Sequence, residues 1–294
     1  MRAAAIQLNS TPDRDVNLAS ADSLVRLAAA RGAGLVVLPE KWPLLGTPEQ
    51  TAGGAEAIDG PTAQWSAAVA RELGIDLVAG SFTERVEFSP RHHNTCLHFG
   101  PDGEIRARYR KLHMFDSEVD GTTYRESDFE APGDELVVSR SHSGVDMGLA
   151  ICYDLRFPEL FRLLALAAAR IVALPSAFTE RTTLAHWDVL VRARAIENSC
   201  FMVAANQCGS HAPGLRSGGR SMIVDPWGTV LAQAPDGEGL AIADLDLNRQ
   251  DEIRVKLPSL ANRRPAVYGW PRSAPGHLEG TVTVPGSSPS PVAR

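Results

Sequence analysis

The interpretation of the fold rests on one stretch, Val145-Asp146-Met147-Gly148-Leu149-Ala150-Ile151-Cys152-Tyr153-Asp154-Leu155-Arg156-Phe157-Pro158-Glu159-Leu160. An apolar run ends at Cys152, a polar turn follows, and Pro158 and Glu159 suit the first turn of a helix. A cysteine on such a strand-to-helix turn presents its sulfur to a cavity beside backbone N–H groups, which suits a nucleophile. Buried cysteines more often pack as small hydrophobic residues, so the stretch alone leaves both interpretations open.

Length and composition indicate a soluble globular chain with one large domain or two small ones. The chain has 294 residues, of which 44% are hydrophobic and 22% charged, and its formal net charge is −6. These fractions are ordinary for globular proteins, and the negative charge argues against a nucleic-acid partner. No uninterrupted apolar run approaches membrane-spanning length, so we expect no membrane partner either.

The cysteines and the N-terminus favour a cytoplasmic location. None of the four cysteines forms a CxxC pair or has zinc-finger spacing, so we predict no metal site and a reducing compartment. The first residues enter a strand-like run at once, without the charged and apolar regions of a signal peptide.

Helix and strand patterns alternate along the chain, which predicts a layered α/β fold. The predicted strands are Arg2–Leu8, Leu35–Leu38, Ile75–Ser81, Asn94–Phe99, Ile105–Tyr109, Ile171–Leu174, Cys200–Ala205, Ser221–Val224, Thr229–Gln233 and Gly239–Leu245. The predicted helices follow Thr11-Pro12-Asp13 or occupy Pro61–Leu73, Leu160–Ala169 and Thr183–Asn198.

Two segments lack such patterns. The polar segment Asp116–Asp134 is predicted to be a loop, and loops of this length are usually functional or mobile. The tail 271–294 is rich in Pro, Ser and Gly and is predicted to be disordered or extended. Residues 1–270 then form the folded domain.

Three polar residues follow predicted strands, namely Glu40, Lys111 and Cys152. A carboxylate can accept the proton of a thiol, although it also raises the pKa of that thiol. An ammonium offsets this effect and, with the Tyr153 N–H, stabilises an oxyanion. The three residues therefore suit nucleophilic attack on a carbonyl carbon. Spacing alone equally allows Glu40 to be a cap and Lys111 a solvated charge.

Three segments resemble the signature segments of the nitrilase superfamily of carbon–nitrogen hydrolases, in the same order and with similar separations. They are Leu35-Val36-Val37-Leu38-Pro39-Glu40, Tyr109-Arg110-Lys111-Leu112-His113 and Gly148-Leu149-Ala150-Ile151-Cys152-Tyr153-Asp154-Leu155-Arg156-Phe157-Pro158-Glu159. The likeness covers roughly Met1 to Tyr268 and includes His186-Trp187, residues 192–197, residues 205–209 and residues 225–228.

The resemblance implies a four-layer αββα sandwich that pairs into a homodimer. It also implies a Glu–Lys–Cys catalytic triad, which maps onto Glu40, Lys111 and Cys152. A second glutamate often assists, and Glu126 matches it best, ahead of Glu118 and Glu130. The resemblance implies no metal and no organic cofactor.

The likeness is strongest to the Nit branch, which includes ω-amidases and deaminated glutathione amidases. It implies hydrolysis of an amide of a small carboxylate-bearing substrate through a cysteine thioester, with release of ammonia or an amine. Arg156 is expected to bind the substrate carboxylate, the alternative being an ion pair with Asp154 or Glu159. The expected pocket walls, each of which could instead be core packing, are Trp42, Phe178 and Thr179.

Other activities share the same triad. A nitrilase and an N-carbamoyl-amino-acid hydrolase are alternatives among enzymes, and the segment 41–46 departs from the Nit pattern that follows the catalytic glutamate. The alternative outside enzymes is an inactive family member that acts as an interaction partner. The presence of all three triad residues argues against it.

Overall fold

The structure is a computed structural model that describes residues 1–119 and 121–267. In chain order its strands are β1 (Arg2–Gln7), β2 (Leu35–Val37), β3 (Asp76–Val78), β4 (Phe82–Glu84), β5 (His93–Phe99), β6 (Ile105–Arg110), β7 (Asp116–Val119), β8 (Thr122–Arg125), β9 (Val138–Arg140), β10 (Asp146–Leu149), β11 (Ile171–Ser176), β12 (Phe201–Asn206), β13 (Cys208–Ala212), β14 (Leu215–Gly218), β15 (Met222–Val224), β16 (Val230–Gln233) and β17 (Gly239–Asp244). The helices are α1 (Arg14–Ala30), α2 (Pro48–Gly53), α3 (Pro61–Leu73), α4 (Pro158–Leu166), α5 (Glu180–Thr182), α6 (Asp188–Asn198) and α7 (Leu247–Lys256).

Two mixed sheets form the middle of the molecule. The first has the strand order β17-β1-β2-β3-β5-β4, with β6 also paired to β5, and the second has the order β16-β15-β12-β11-β10-β9. The strands β1, β2 and β3 are parallel to one another, as are β10, β11 and β12. A parallel bridge between Leu8 and Gln207 joins the ends of β1 and β12. The carboxyl ends of the parallel strands in both sheets therefore meet, and such ends commonly carry the site of an α/β protein.

Alternation along β1 assigns the two faces of the first sheet. Ala4 and Ile6 pack in one buried cluster with Val25 of α1, whereas Ala3 and Ala5 belong to the cluster that the two sheets share. Successive side chains of a strand point to opposite faces, so α1 and α3 cover the outer face of this sheet.

Helices α4 and α6 cover the outer face of the second sheet. Phe161 and Leu164 of α4 pack with Val191 and Ala195 of α6 and with the strands of that sheet. The layers therefore run helix, sheet, sheet, helix, which confirms the predicted αββα sandwich. Within the described ranges, no helix has both the length and the apolar character to cross a membrane.

Several elements differ from the predictions. The predicted loop Asp116–Asp134 contains the hairpin β7–β8, for which the Asp120-Gly121 dipeptide was a usable signal. The predicted helix Thr183–Asn198 consists of α6 and a preceding π-helical turn, Thr183–Trp187. Helix α7 was not predicted because its surface is largely polar, and the predicted tail 271–294 lies outside the described residues.

Candidate active site

The three predicted catalytic residues lie together at strand ends. Glu40 follows β2, Lys111 follows β6 and Cys152 follows β10, and their exposed fractions are 3%, 1% and 8%. The Nζ atom of Lys111 lies 2.9 Å from Oε1 of Glu40. Residues from both sheets thus converge on one buried point, and we call these three residues the triad.

Hydrogen bonds from three directions hold Glu40. Its Oε1 accepts a bond from Asn94 Nδ2 at 2.8 Å, and its Oε2 accepts one from the Ala177 backbone N–H at 2.8 Å. Its backbone carbonyl accepts a bond from Gln207 Nε2 at 3.0 Å. Because Asn94 lies on β5 of the first sheet and Ala177 follows β11 of the second, the carboxylate is fixed by both sheets.

Lys111 is an ammonium held between two carboxylates. Its Nζ lies 2.9 Å and 2.8 Å from the two carboxylate oxygens of Glu126, in addition to Glu40. Burial disfavours the charge, but Glu126, Glu40 and Cys152 together outweigh it and raise the pKa of Lys111 well above its ordinary value. The charge is therefore available to stabilise an oxyanion at neutral pH.

Cys152 begins a tight 3-10 turn, Cys152–Arg156. Its φ angle is 48°, a left-handed conformation that is uncommon for a side chain larger than glycine and recurs at functional sites. The first N–H groups of a helical turn have no acceptor within the turn. The N–H groups of Cys152 and Tyr153 therefore suit the oxyanion role expected of Tyr153.

A fully buried carboxylate, Asp154, fixes this turn. It accepts hydrogen bonds from Tyr109 Oη at 2.7 Å and from the Ile151 N–H at 2.8 Å. Its Oδ1 also lies 2.7 Å from Nδ1 of His113, whose ring stacks on Phe157 at a centroid distance of 3.6 Å. These partners connect the nucleophile turn to the end of β6, which carries Lys111.

Burial and the Glu40 carboxylate raise the pKa of the Cys152 thiol well above its ordinary value, and the opposing effect of Lys111 is smaller. The expected offset of the Glu40 effect by Lys111 is therefore only partial. Because the thiol stays protonated at rest, its attack on a carbonyl requires a base, and Glu40 is the carboxylate that stands beside it.

Glu126 supports the triad from the hairpin β7–β8. It begins a 3-10 turn directly after β8, and its Oε2 accepts a hydrogen bond from the Phe115 N–H at 2.7 Å. Burial disfavours its charge, but Lys111 and Lys41 outweigh this effect and hold the pKa of Glu126 well below its usual range. Glu126 is thus a carboxylate that keeps Lys111 charged and in place.

The two weaker glutamate candidates lie in different surroundings. Glu118 is exposed on β7. Glu130 is buried with 3% of its surface exposed, and its Oε1 lies 2.9 Å from the Nζ atom of Lys41.

The triad opens into a cavity of about 420 Å³. Tyr153, Arg156, Phe178 and Thr179 all line it, in the positions expected of substrate contacts. Phe178 is held by packing on Trp187 at a ring-centroid distance of 5.0 Å.

Trp42 lies elsewhere. Its indole is buried, donates a hydrogen bond from Nε1 to the Ala79 carbonyl at 2.8 Å, and packs on Trp65 at a centroid distance of 5.0 Å. Because Trp42 does not line the cavity, its predicted role as a pocket wall is wrong. Lys41 and Leu45 of the same segment line the cavity instead.

Arg156 makes no ion pair among the described residues, so the predicted alternative of a salt bridge with Asp154 or Glu159 is not observed. Its guanidinium lies 5.3 Å from the Phe178 ring centroid, and its two terminal nitrogens lie 3.3 and 3.4 Å from His186 Nδ1. A cation held by a ring and an imidazole retains its capacity to bind a carboxylate.

Sequence reasoning missed three residues of the site. Lys41 directly follows Glu40, Asn94 lies near the start of β5, and Asp154 lies two residues beyond Cys152. The sequence suggests Asp154 only as an ion-pair partner of Arg156. Adjacency to the triad was the usable signal for Lys41 and Asp154, whereas only the pairing of strands brings Asn94 to Glu40.

Comparison with known proteins agrees with this geometry. The family model "Carbon-nitrogen hydrolase" matches residues 2–255. Deaminated glutathione amidase of Bos taurus is 43% identical over 271 residues, which cover 90% of this chain and 83% of the relative. Omega-amidase NIT2 of Mus musculus is 38% identical over 271 residues, which cover 91% of this chain and 96% of the relative.

Solved structures show the same similarity. The crystal structure of the C. elegans NitFhit protein superposes with a TM-score of 0.86 at 37% identity and covers 91% of this chain and 66% of that one. An amidase variant from Nesterenkonia sp. AN1 carries the acetamide moiety of fluoroacetamide on its active-site cysteine. It has a TM-score of 0.75 at 27% identity and covers 91% of this chain and 95% of that one. The chain therefore belongs to the carbon–nitrogen hydrolase family, in the Nit branch of the nitrilase superfamily that its motifs predicted.

Proposed function

We propose that residues 1–270 form one amidase domain, which hydrolyses an amide of a small carboxylate-bearing acid through a thioester on Cys152. One observation carries the proposal. A buried ammonium, Lys111, lies between Glu40 and Glu126 beside the thiol, and all four residues line one cavity. This arrangement supplies a nucleophile, a base and an oxyanion donor without a histidine.

Acylation begins when the Cys152 sulfur attacks the amide carbon and its proton passes to Glu40. The carbonyl oxygen becomes an oxyanion that Lys111 and the Tyr153 N–H stabilise. The tetrahedral intermediate then expels the nitrogen, which takes the proton from Glu40 and leaves as ammonia or an amine. A thioester on Cys152 remains.

Deacylation uses the same groups in reverse. A water molecule gives a proton to Glu40 and attacks the thioester carbon. The C–S bond breaks, the sulfur recovers the proton, and the free acid leaves. Glu126 assists by keeping Lys111 charged and oriented through both steps.

The substrate class follows from Arg156 and from the relatives. Arg156 lies on the cavity wall without a carboxylate partner among the described residues, which supports recognition of a carboxylate on the substrate. Relatives named deaminated glutathione amidase and omega-amidase support an ω-amide of an α-keto acid or deaminated glutathione as the substrate.

An ammonia- and amine-release screen tests this function. Purified protein is offered α-keto acid ω-amides, deaminated glutathione, uncharged amides, nitriles and N-carbamoyl amino acids. We expect turnover of the carboxylate-bearing amides to dominate. A preference for nitriles or carbamoyl compounds would favour those alternatives, and no turnover of any compound would favour an inactive interaction partner.

The role of Arg156 has its own test. Arg156→Lys keeps the charge but loses the planar pair of donors. We expect KM for a carboxylate-bearing amide to rise about tenfold, the effect of losing one charge-assisted hydrogen bond, while KM for an uncharged amide stays within about twofold. Equal changes for both amides would exclude carboxylate recognition by Arg156.

We also propose that the protein is a homodimer that pairs through the outer layer of α4 and α6. Apolar side chains on this layer are exposed, including Leu163, Leu166, Val189 and Ile196, and Trp227 lies exposed on the turn that approaches Ile196. Such a patch is typical of an interface. Light scattering should give a dimer for the native chain and a monomer for Val189→Glu, and a monomeric native chain would exclude this interface.

We place the protein in the cytoplasm. Its four cysteines, Cys96, Cys152, Cys200 and Cys208, are all free and buried, which supports a reducing compartment. Fractionation of cells should recover the protein with cytoplasmic markers, and recovery with an oxidising compartment would contradict this location.

A further inference from the structure

Lys41 is a cation of the cavity wall that has no part in the proposed mechanism. Lys41 directly follows the base Glu40, and its exposed side-chain fraction is only 15%. Its φ angle of 51° is left-handed, which is uncommon for lysine, and its backbone N–H donates to Ser81 Oγ at 3.0 Å. A strained backbone of this kind persists only where surrounding contacts hold it.

The Lys41 ammonium bridges two carboxylates of the cavity wall. Its Nζ lies 3.1 Å from Oε1 of Glu126 and 2.9 Å from Oε1 of Glu130. The same oxygen of Glu126 also accepts a hydrogen bond from Lys111. Lys41 therefore reaches the triad through Glu126, whose Oε1 it shares with Lys111.

Among the described residues, the region holds one more carboxylate than it holds ammoniums, and removal of Lys41 and Glu130 together leaves this excess unchanged. Glu40, Glu126 and Glu130 are three buried carboxylates, and Lys41 and Lys111 are the two ammoniums that contact them. Loss of Lys41 alone would leave three carboxylates around Lys111. Loss of Lys41 and Glu130 together would leave two carboxylates around Lys111, so the excess would stay at one.

We propose that Lys41 and Glu130 act as one positioning pair: Lys41 neutralises the buried carboxylate of Glu130, so that Glu130 does not draw Lys111 away from its alignment with Glu40 and Cys152. The pair acts through Glu126 and Lys111 and does not touch the reacting atoms. This inference rests on the proposed function.

The surroundings of Glu130 support the pairing. Its Oε2 is buried and has no hydrogen-bond partner among the described residues. The charged groups that face it are Lys41, Glu126 and Lys111, while His92 bridges to it along the backbone. Burial raises the pKa of Glu130 to about 7, with Lys41 opposing and Glu126 adding to the rise. The carboxyl group that pairs with Lys41 thus changes its charge near neutral pH.

The test is a double-variant cycle on kcat, with Lys41→Met, Glu130→Leu and the double variant. We expect Lys41→Met to lower kcat about 10- to 100-fold, as for coupled buried neighbours, with KM changed less than about threefold. Glu130→Leu should change kcat by less than about threefold. The kcat of the double variant should recover to within about threefold of the kcat of Glu130→Leu. Additive losses in the cycle would overturn the proposal.

The chain supplies a matched control pair on its surface. Lys256 is exposed and lies 3.4 Å from Glu252 on α7, far along the chain from the triad. Lys256→Met, Glu252→Leu and their double variant should leave kcat unchanged. Equal losses in both cycles would mean that any lysine removal lowers activity, and the specific role of Lys41 would fail.

A pH profile separates positioning from a merely structural role. We expect the loss of kcat in Lys41→Met to grow as pH rises above about 7, because Glu130 then ionises near Lys111 without the cation that offsets its charge. In the double variant this pH dependence should disappear, because Glu130 is absent. A profile unchanged in both variants would leave the pair only a stabilising role.

A second readout does not depend on the substrate. Fluoroacetamide alkylates a thiol with loss of fluoride, and its rate at Cys152 reports the alignment of the triad. We expect Lys41→Met to slow this reaction and the double variant to restore it. If the native protein turned over no amide, the proposed function would fail, and the alkylation rates would still decide whether Lys41 and Glu130 position the triad.

Discussion

The triad and the hairpin that faces it are held in place in different ways. The triad residues follow β2, β6 and β10, strands that belong to the two central sheets. The hairpin wall, which we define as residues 115–119 and 121–130, contains β7 and β8, which pair only with each other in the described structure. It reaches the triad through the carboxylate of Glu126. The sheets thus position the reacting residues, whereas the hairpin wall supplies a carboxylate that balances the charge of Lys111.

This difference gives an order of expected effects. Variants of the triad should remove the reaction, because no other group supplies the missing chemistry. Variants of the hairpin wall should lower the rate or shift its pH dependence, because they change the charge around groups that remain in place.

The largest effect is expected at the nucleophile. Cys152→Ala should abolish amide turnover while the thermal unfolding of the protein stays cooperative, because no other side chain can form the thioester. Turnover and circular dichroism melting measure the two properties. Cys200→Ala removes another buried thiol away from the cavity and should keep its activity. Full activity in the Cys152 variant would reject the mechanism.

Lys111→Ala should lower kcat by at least about 10²–10³-fold, the cost of one oxyanion donor. The variant also leaves Glu40 and Glu126 without their shared cation, so its melting temperature should fall. Activity is therefore measured at a temperature where the variant is folded, with Lys256→Met as the control. A loss confined to stability would show that Lys111 is structural.

Glu126→Gln should have a smaller effect than either triad variant, about tenfold on kcat, because a charge-assisted hydrogen bond to Lys111 is weakened. The amide retains the shape of the side chain but no longer balances the charges of Lys111 and Lys41. Steady-state kinetics at several pH values measure it. A loss as large as that of Cys152→Ala would place Glu126 within the reaction itself and erase the distinction between the triad and the hairpin wall.

The smallest effect concerns stability and pH. Burial raises the pKa of Glu130 to about 7 from an ordinary value of 4.5. The folded state then holds a proton that the unfolded state has lost, so the free energy of unfolding falls as pH rises through this window. Glu130→Gln should therefore gain a few degrees of melting temperature relative to the native chain between about pH 5 and about pH 7.5. A difference in melting temperature between Glu130→Gln and the native chain that does not change with pH would contradict the raised pKa.

The triad and the layered fold were predictable because both depend on local patterns. Glu40, Lys111 and Cys152 each follow a strand-like run, and buried strands end where α/β proteins place their sites. The resemblance to a known family then supplied the αββα order and the catalytic role of each residue. These inferences needed no knowledge of which distant side chains touch.

The surroundings of the triad were not predictable, because they depend on contacts between side chains that are distant in the sequence. Lys41 has a left-handed backbone and contacts Glu126 and Glu130 of the hairpin wall, which is distant from it in the sequence. Its neighbour Trp42 is buried in the core, and no pattern in the sequence separates the environments of these two residues. The direction of the Cys152 pKa likewise depends on burial, which no spacing in the sequence reveals.

The central claim is that Cys152 alone carries the acyl group. Fluoroacetamide labelling followed by peptide mass spectrometry tests it most directly, because Cys96, Cys200 and Cys208 are also buried and serve as internal controls. We predict modification of Cys152 only, with amidase activity lost in proportion to the modified fraction and protection by a carboxylate-bearing amide. Full activity after complete modification of Cys152, or inactivation that follows modification of another cysteine, would contradict the account.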